Sequence, residues 1–330
     1  MDKLSVFEDD DLLGTISVRV PTVEYNDLIL MCKNREVFDI GNEQVLNKAL
    51  LPGLMMSIPY KSTFLLWMEK RYSEKSNTFA RQLRSYVYGQ GNRSKINIGT
   101  RALGLSDCYW LKDRKEEVTF EEVSPYYTDF WSGAGLYEGQ AIPTLYVNGY
   151  LPKYWADRNT LIKKSTDTVQ ANREIYCSIL AEALGLPVAK AAPSPEGVAV
   201  TNFTNPALMF ESADASGKIH GEEFTTEDVL SAFGSFGFDM LFFDALVANG
   251  DRHAGNFGFL RDPDTGAYLS AAPLFDFDHA FESRVPDDVL TREVRSVKSG
   301  FRARFEQLDE GVRNMDVSDY VIERLDFMGQ

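Results

Sequence analysis

Residues Ala248–Leu260 read ANGDRHAGNFGFL. Asp251 and Asn256 stand five positions apart there, on a glycine-bracketed loop that leaves an apolar helical stretch. Beyond them, Phe257–Leu260 and Tyr268–Leu269 flank Asp262-Pro263-Asp264-Thr265-Gly266, a turn sequence that predicts a β-hairpin. Twenty positions after Asn256 comes Asp276, inside Pro273–Phe281, PLFDFDHAF. Asp and Asn favour turns and caps wherever they occur, so each of the three alone is ordinary. Helix, loop, hairpin and second aspartate in this order are much less so.

Two carboxylates and a neutral amide oxygen are what phosphoryl transfer from ATP requires. One carboxylate must orient the attacking hydroxyl, and a neutral oxygen ligand and a second carboxylate must hold the Mg2+ that bridges the phosphates. The five-residue step from Asp to Asn is that of the protein-kinase catalytic loop. Such a site also needs a lysine on the phosphates and a helix glutamate to hold it. Lys163 ends the short strand Asn159–Lys164, and Glu174 follows eleven positions later, early in a helix spanning about Val169–Leu184. That helix carries an apolar stripe of Tyr176, Ile179, Leu180, Ala183 and Leu184, and stops at Gly185 and Pro187. Gly197–Phe203 reads as a strand, and the capping box Thr225–Asp228 opens helix running to about Ala248, interrupted at Gly234 and Gly237. Strands first and helices later predict an α+β fold with two lobes.

The chain has 330 residues with 44% hydrophobic content and a formal net charge of −15. Disorder, collagen-like repeats and disulfide scaffolds are excluded by that composition, and the acidity argues against generic nucleic-acid binding. Cys32, Cys108 and Cys177 are isolated, which predicts buried thiols in a reducing compartment. His220 and His279 read as ordinary residues, with no spacing that suggests zinc. MDKLSVFEDDD at the start is not a secretory signal, and no uncharged run reaches the roughly 18 residues of a membrane span. The expectation is a cytoplasmic protein with no membrane partner and no direct nucleic-acid partner.

Residues 145–285 resemble the HipA-like serine/threonine kinase family, including its short relatives of the CtkA type. The resemblance rests on NGDRHAGN at 249–256, on PLFDF at 273–277, and on Lys163 in LIKK. It implies that Asp251 is the catalytic aspartate, that Asn256 and Asp276 are magnesium ligands, and that Lys163 contacts the nucleotide. VTNFTN at 200–205 resembles the hinge beside the adenine, which implies nucleotide contacts from Val200, Asn202 and Phe203. NGYLPK at 148–153 resembles the loop over the phosphates and brings in Gly149 and Lys153. A second glycine set, Gly133, Gly135 and Gly139, competes for that role. His253 is expected beside the nucleotide, holding the loop. Asp278 stands where ordinary kinases have the Gly of D-F-G, so no flipping activation segment is expected.

The resemblance implies a protein-kinase-like fold divided into an N-terminal region over 1–130 that includes part of the N-lobe and has no function read from it, a small β-rich N-lobe over 131–205 and a helical C-lobe over 206–330. The leading reading is an ATP- and Mg2+-dependent serine/threonine protein kinase acting on a Ser or Thr hydroxyl. By resemblance it is a candidate toxin with an antitoxin partner, or a stand-alone effector kinase. The alternatives are a phosphatidylinositol-type lipid kinase, which shares G-D-R-H-x-x-N, and a nucleotide-binding pseudokinase acting as a regulatory module.

Overall fold

The structure, a computed structural model, describes residues 25–71, 101–128, 153–165, 167–219, 224–281, 301–308, 310–313, 315 and 318–327. Gly149 and the Gly133–Gly139 set lie outside these residues.

The N-terminal residues build an antiparallel sheet of their own from β1 (Leu28–Cys32), β2 (Arg35–Asp39), β3 (Gln44–Val45) and β4 (Tyr109–Asp113), in the order β3-β2-β1-β4. LILMC in β1 is buried along its whole length, as an uninterrupted apolar run in a central strand should be. Lys33, at φ 51°, turns the chain so that Cys32 faces Arg35. Two short helices, α1 (Gly53–Met56) and α2 (Lys61–Lys70), and α3 (Phe120–Val123) complete this unit. Thr119 and Glu122 cap α3 reciprocally. Its core includes Leu30, Phe38, Phe64, Trp67 and Trp110.

A second antiparallel sheet contains β5 (Lys153–Asp157), β6 (Thr160–Lys164), β7 (Ala191–Ser194) and β8 (Gly197–Thr201), in the order β5-β6-β8-β7. Helix α4 (Thr168–Ala183) packs on it through Ala171 and Ile175, against Val198 and Val200. The Asp167 carboxylate caps α4 by accepting from the Val169 N–H at 2.9 Å.

The third sheet holds β9 (Met209–Ser212), β10 (Gly258–Arg261) and β11 (Tyr268–Ala271), in the order β11-β10-β9. The helical stretch expected over 225–248 is two helices, α5 (Thr226–Phe233) and α6 (Ser235–Leu246), broken at Gly234, whose φ of 57° suits glycine. Helix α6 runs through a core of its own, with Met240, Phe242 and Phe243 fully buried. Helices α7 (Phe301–Glu306), α8 (Glu310–Arg313) and α9 (Ser318–Phe327) follow, and Phe305, Val321 and Leu325 join the same core.

None of the described residues before 129 adds a strand to the β5–β8 sheet. The N-terminal unit packs instead on β9 and β10, and Met209 and Ala215 belong to its core. Arg261, with no solvent exposure, donates to Gly266 O at 2.7 Å, Tyr109 Oη at 2.9 Å and Ala49 O at 2.9 Å. Beside it Glu211 accepts from the Gly53 N–H at 2.7 Å and from Tyr268 Oη at 2.6 Å. Leu105 O accepts from Tyr126 Oη at 2.6 Å and Asn202 Nδ2 at 3.3 Å, and Ser106 O from the Phe210 N–H at 2.7 Å.

Candidate active site

Strand β6 sets Lys163 between Lys153 on β5 and Val198 on β8. Its ammonium is almost wholly buried and donates to Glu174 Oε1 at 2.6 Å and to Asp276 Oδ1 at 2.6 Å. Glu174 lies on the face of α4 that also buries Ala171, Ile175 and Ser178, so helical spacing aims it at the sheet. Asp276 arrives from the other side. Val188 and Leu274 form a parallel bridge, and Asp276 then takes a φ of 65°, a left-handed turn that Asp tolerates better than most residues.

Burial alone would lower the pKa of Lys163, but the carboxylates of Asp276 and Glu174 outweigh it and hold the amine above its ordinary value. Burial works upward on Asp276, and Lys163 and Lys153 overcome it, so this carboxyl sits well below the usual range. Glu174 is pushed up by burial, with Lys163 pulling against it. Lys153, only 5% exposed, is lowered by burial. Asp278 is also buried, and burial together with the Asp276 charge raises it.

The loop after α6 is anchored by a buried ion pair. Arg252 donates through Nε to Asp244 Oδ2 and through Nη2 to Asp244 Oδ1, each at 2.8 Å. Its Nη1 reaches Asn256 O at 2.9 Å and Phe275 O at 2.8 Å. One guanidinium thus ties the helix, the loop and the segment that carries Asp276. Asn249 donates to the same Asp244 at 2.9 Å. Asn256 Nδ2 donates to Asp251 O at 3.2 Å, which leaves the Asn256 side-chain oxygen for another partner.

A cavity of about 170 Å3 opens beside these groups. Lys153, Lys163, Glu174, Asn256 and Asp276 line it. Val200, Asn202 and Phe203 line it from the segment that leaves β8. The Phe203 ring lies 5.7 Å from both Phe210 and Phe275, an aromatic cluster against the cavity.

No protein-family model matches the chain. Over 112 residues, 34% of its length, it is 33% identical to the serine/threonine-protein kinase CtkA of Helicobacter pylori, and the match spans 33% of that protein. The chain is a homologue of CtkA over that stretch. The structure of HipA from Shewanella oneidensis MR-1, in its toxin–antitoxin complex with HipB and operator DNA, matches 91% of this chain and 95% of its own, with a TM-score of 0.52 and 14% identity. The fold is that of the HipA-like kinases. The crystal structure of Helicobacter pylori CtkA matches 55% of this chain and 88% of its own, with a TM-score of 0.40 and 18% identity.

Within this HipA-like fold, eight of the residues singled out in the sequence share one cavity. Asp251 and His253 do not line it. Both are exposed on the loop. The His253 ring turns back on its own loop, where Nδ1 accepts from the Gly255 N–H at 3.1 Å. Asp244 and Arg252 went unread. The signal was an aspartate in the apolar run Phe233–Val247 and an arginine next to Asp251. Trp67, Arg71 and Asp107, from the region with no function read from it, also line the cavity.

Proposed function

We propose that the chain is an ATP- and magnesium-dependent serine/threonine protein kinase of the HipA-like type. The observation that carries this reading is the contact of one buried lysine, Lys163, with both Glu174 and Asp276 at 2.6 Å, in a cavity that Asn256 also lines. That is the lysine, helix glutamate and metal aspartate arrangement of ATP-dependent phosphotransfer. The homology to a protein named as a serine/threonine kinase supports it.

Val200 and Phe203 give the base an apolar slot, and Lys163 and Lys153 offer positive charge to the phosphates. Glu174 fixes Lys163 in place. The amide oxygen of Asn256 and the carboxylate of Asp276 are hard oxygen donors on one cavity and suit Mg2+, which would neutralise charge on the phosphates. Asp251, exposed at the loop, accepts and orients the substrate hydroxyl. The hydroxyl oxygen bonds to the γ-phosphorus, the bond to the ADP oxygen breaks, and the hydroxyl proton leaves through Asp251.

The protein substrate and an antitoxin partner belong to the same proposal, the latter by likeness to a HipA bound to HipB. Among the described residues no helix is long and apolar enough to cross a membrane. Three free buried cysteines support a cytoplasmic setting.

The test is incubation with γ-labelled ATP and Mg2+, comparing the natural chain with Asp251→Asn and Asp276→Asn. Label on Ser or Thr that both substitutions abolish is the expected result. Transfer to phosphoinositide vesicles but not to protein would overturn the protein-kinase reading, as would ATP binding with no transfer at all.

A further inference from the structure

We infer that Ser212 reads the sugar of the nucleotide: its hydroxyl oxygen accepts a hydrogen bond from a ribose hydroxyl, and Asp214 is the positioning residue that fixes this polarity. The inference rests on the reading of the cavity as an ATP site.

Strand β9 borders the cavity, and its burial alternates residue by residue. Met209 belongs to the N-terminal core, and Glu211 accepts from the Gly53 N–H of that unit. Phe210 and Ser212 share the other face, are only partly buried, and both line the cavity. The Phe210 ring lies 5.7 Å from Phe203, which belongs to the apolar slot for the base. Ser212 comes two positions later, about 6–7 Å along the strand. It pairs with Gly258 on β10, two positions after Asn256. The residues that follow keep to the same loop. The Ala213 N–H donates to Phe257 O at 2.9 Å, and the Asp214 N–H donates to Ala254 O at 3.2 Å. Ser212 therefore stands between the slot for the base and the oxygen donors for the metal, where the sugar of a nucleotide falls.

Ser212 Oγ donates to Asp214 Oδ1 at 2.6 Å. A hydroxyl has one proton, and here it is committed to a carboxylate, which can only accept. What Ser212 has left for the cavity is lone pairs, so its ligand partner must be a donor. ATP carries donors in two places, the amino group of the base and the ribose hydroxyls. The amino group goes with the base to Val200 and Phe203. The ribose hydroxyls are the donors at the level of Ser212. The hydroxyl is oriented before the ligand arrives, so binding costs it little rotational freedom. A sugar without the matching hydroxyl would leave this acceptor unpaired, which is how a polar site rejects a close analogue.

The experiment measures binding of ATP, 2′-deoxy-ATP, 3′-deoxy-ATP and inorganic tripolyphosphate, each with Mg2+. The proteins are the full natural chain, Ser212→Ala, Asp214→Ala and the double variant. The natural chain should bind at least one deoxy nucleotide about tenfold more weakly than ATP, the effect of one lost hydrogen bond. Ser212→Ala should bind ATP about tenfold more weakly and bind that deoxy nucleotide as well as ATP. Asp214→Ala lets the hydroxyl turn, so the ratio between the two sugars should shrink, and adding it to Ser212→Ala should change the ratio no further. A merely structural Asp214 would weaken every nucleotide together and leave the ratio alone, which would overturn its part. Tripolyphosphate has no sugar and should bind all four proteins alike. Equal binding of ATP and both deoxy nucleotides by the natural chain would overturn the inference, as would sugar discrimination that survives in folded Ser212→Ala. The sugar comparison needs no substitution and stands even if a variant fails to fold. If the natural chain binds neither ATP nor tripolyphosphate, the kinase reading itself falls and takes this inference with it. If it binds ATP and transfers phosphate while ignoring the sugar, only this inference falls.

Discussion

Lys163 on β6 and Asp276, 113 positions later in the chain, meet at 2.6 Å in the buried wall of the cavity. The same ammonium reaches Glu174 at 2.6 Å. One amine therefore fastens a strand, a helix and the segment after the hairpin to one another, and the fold around the site depends on its charge.

Replacing that amine should cost both activity and stability. Lys163→Met takes from two buried carboxylates the cation they share, a change of about 3–5 kcal/mol by comparison with other broken buried pairs. Denaturant unfolding should show this loss, and phosphate transfer should vanish. Glu174→Gln keeps a hydrogen-bond acceptor for Lys163, so its unfolding midpoint should move less while transfer still falls.

Arg252 should behave as a positioning residue. Arg252→Lys retains a charge for Asp244 but cannot reach two carboxylate oxygens and the carbonyls of Asn256 and Phe275 at once. We expect kcat to drop at least about tenfold with a smaller change in KM for ATP, because the loop loses its register while the cavity keeps its walls. Steady-state kinetics against ATP distinguishes this from uniform weakening.

Acid should erase the contribution of Asp276 late. Its carboxyl is held below the ordinary range, so the folded state gains from its ionisation above the unfolded pKa of about 3.9 and loses that gain only as pH falls through the lower folded value. The stability difference between the natural chain and Asp276→Asn should therefore stay level from about pH 8 to pH 5 and shrink below about pH 4. Chemical denaturation across that series measures it.

The thiols should be silent in the folded protein. Burial pushes Cys32 up to about 12, and Cys108 and Cys177 are raised by the same cause. Iodoacetamide at pH 8 should leave all three unmodified by mass spectrometry, and all three should react in denaturant. Rapid labelling of the native chain would contradict the packing of both cores.

The loop and its partners were legible in the sequence because their signals are local. Asp251 and Asn256 share a loop, Asp276 follows one hairpin, and Lys163 to Glu174 is one strand-to-helix step. Strand β7 was missed because AAPS contains Pro193, which a strand tolerates here at the sheet edge. Strand β9 has only four residues between turns. The contribution of the N-terminal unit left no pattern to read. Arg71 meets Asp107 across 36 positions, and Arg261 meets Ala49 across 212. Such pairings are set by tertiary packing, and neither partner is unusual in its own neighbourhood. His253 was read as holding its own loop, and its ring does accept a local turn contact there.

Arg261 has a consequence for portability. Its guanidinium spends two of its donors on Tyr109 and Ala49, and neighbouring Glu211 accepts from the Gly53 N–H. A fragment excised without residues 25–128 would inherit a cationic group with no solvent exposure in the intact chain, suddenly short of acceptors, and a bared Met209. The C-terminal part is thus no interchangeable cassette. Swapping it onto another N-terminal partner would demand a matching carbonyl and phenol at that seam, so the two halves are bound to change together.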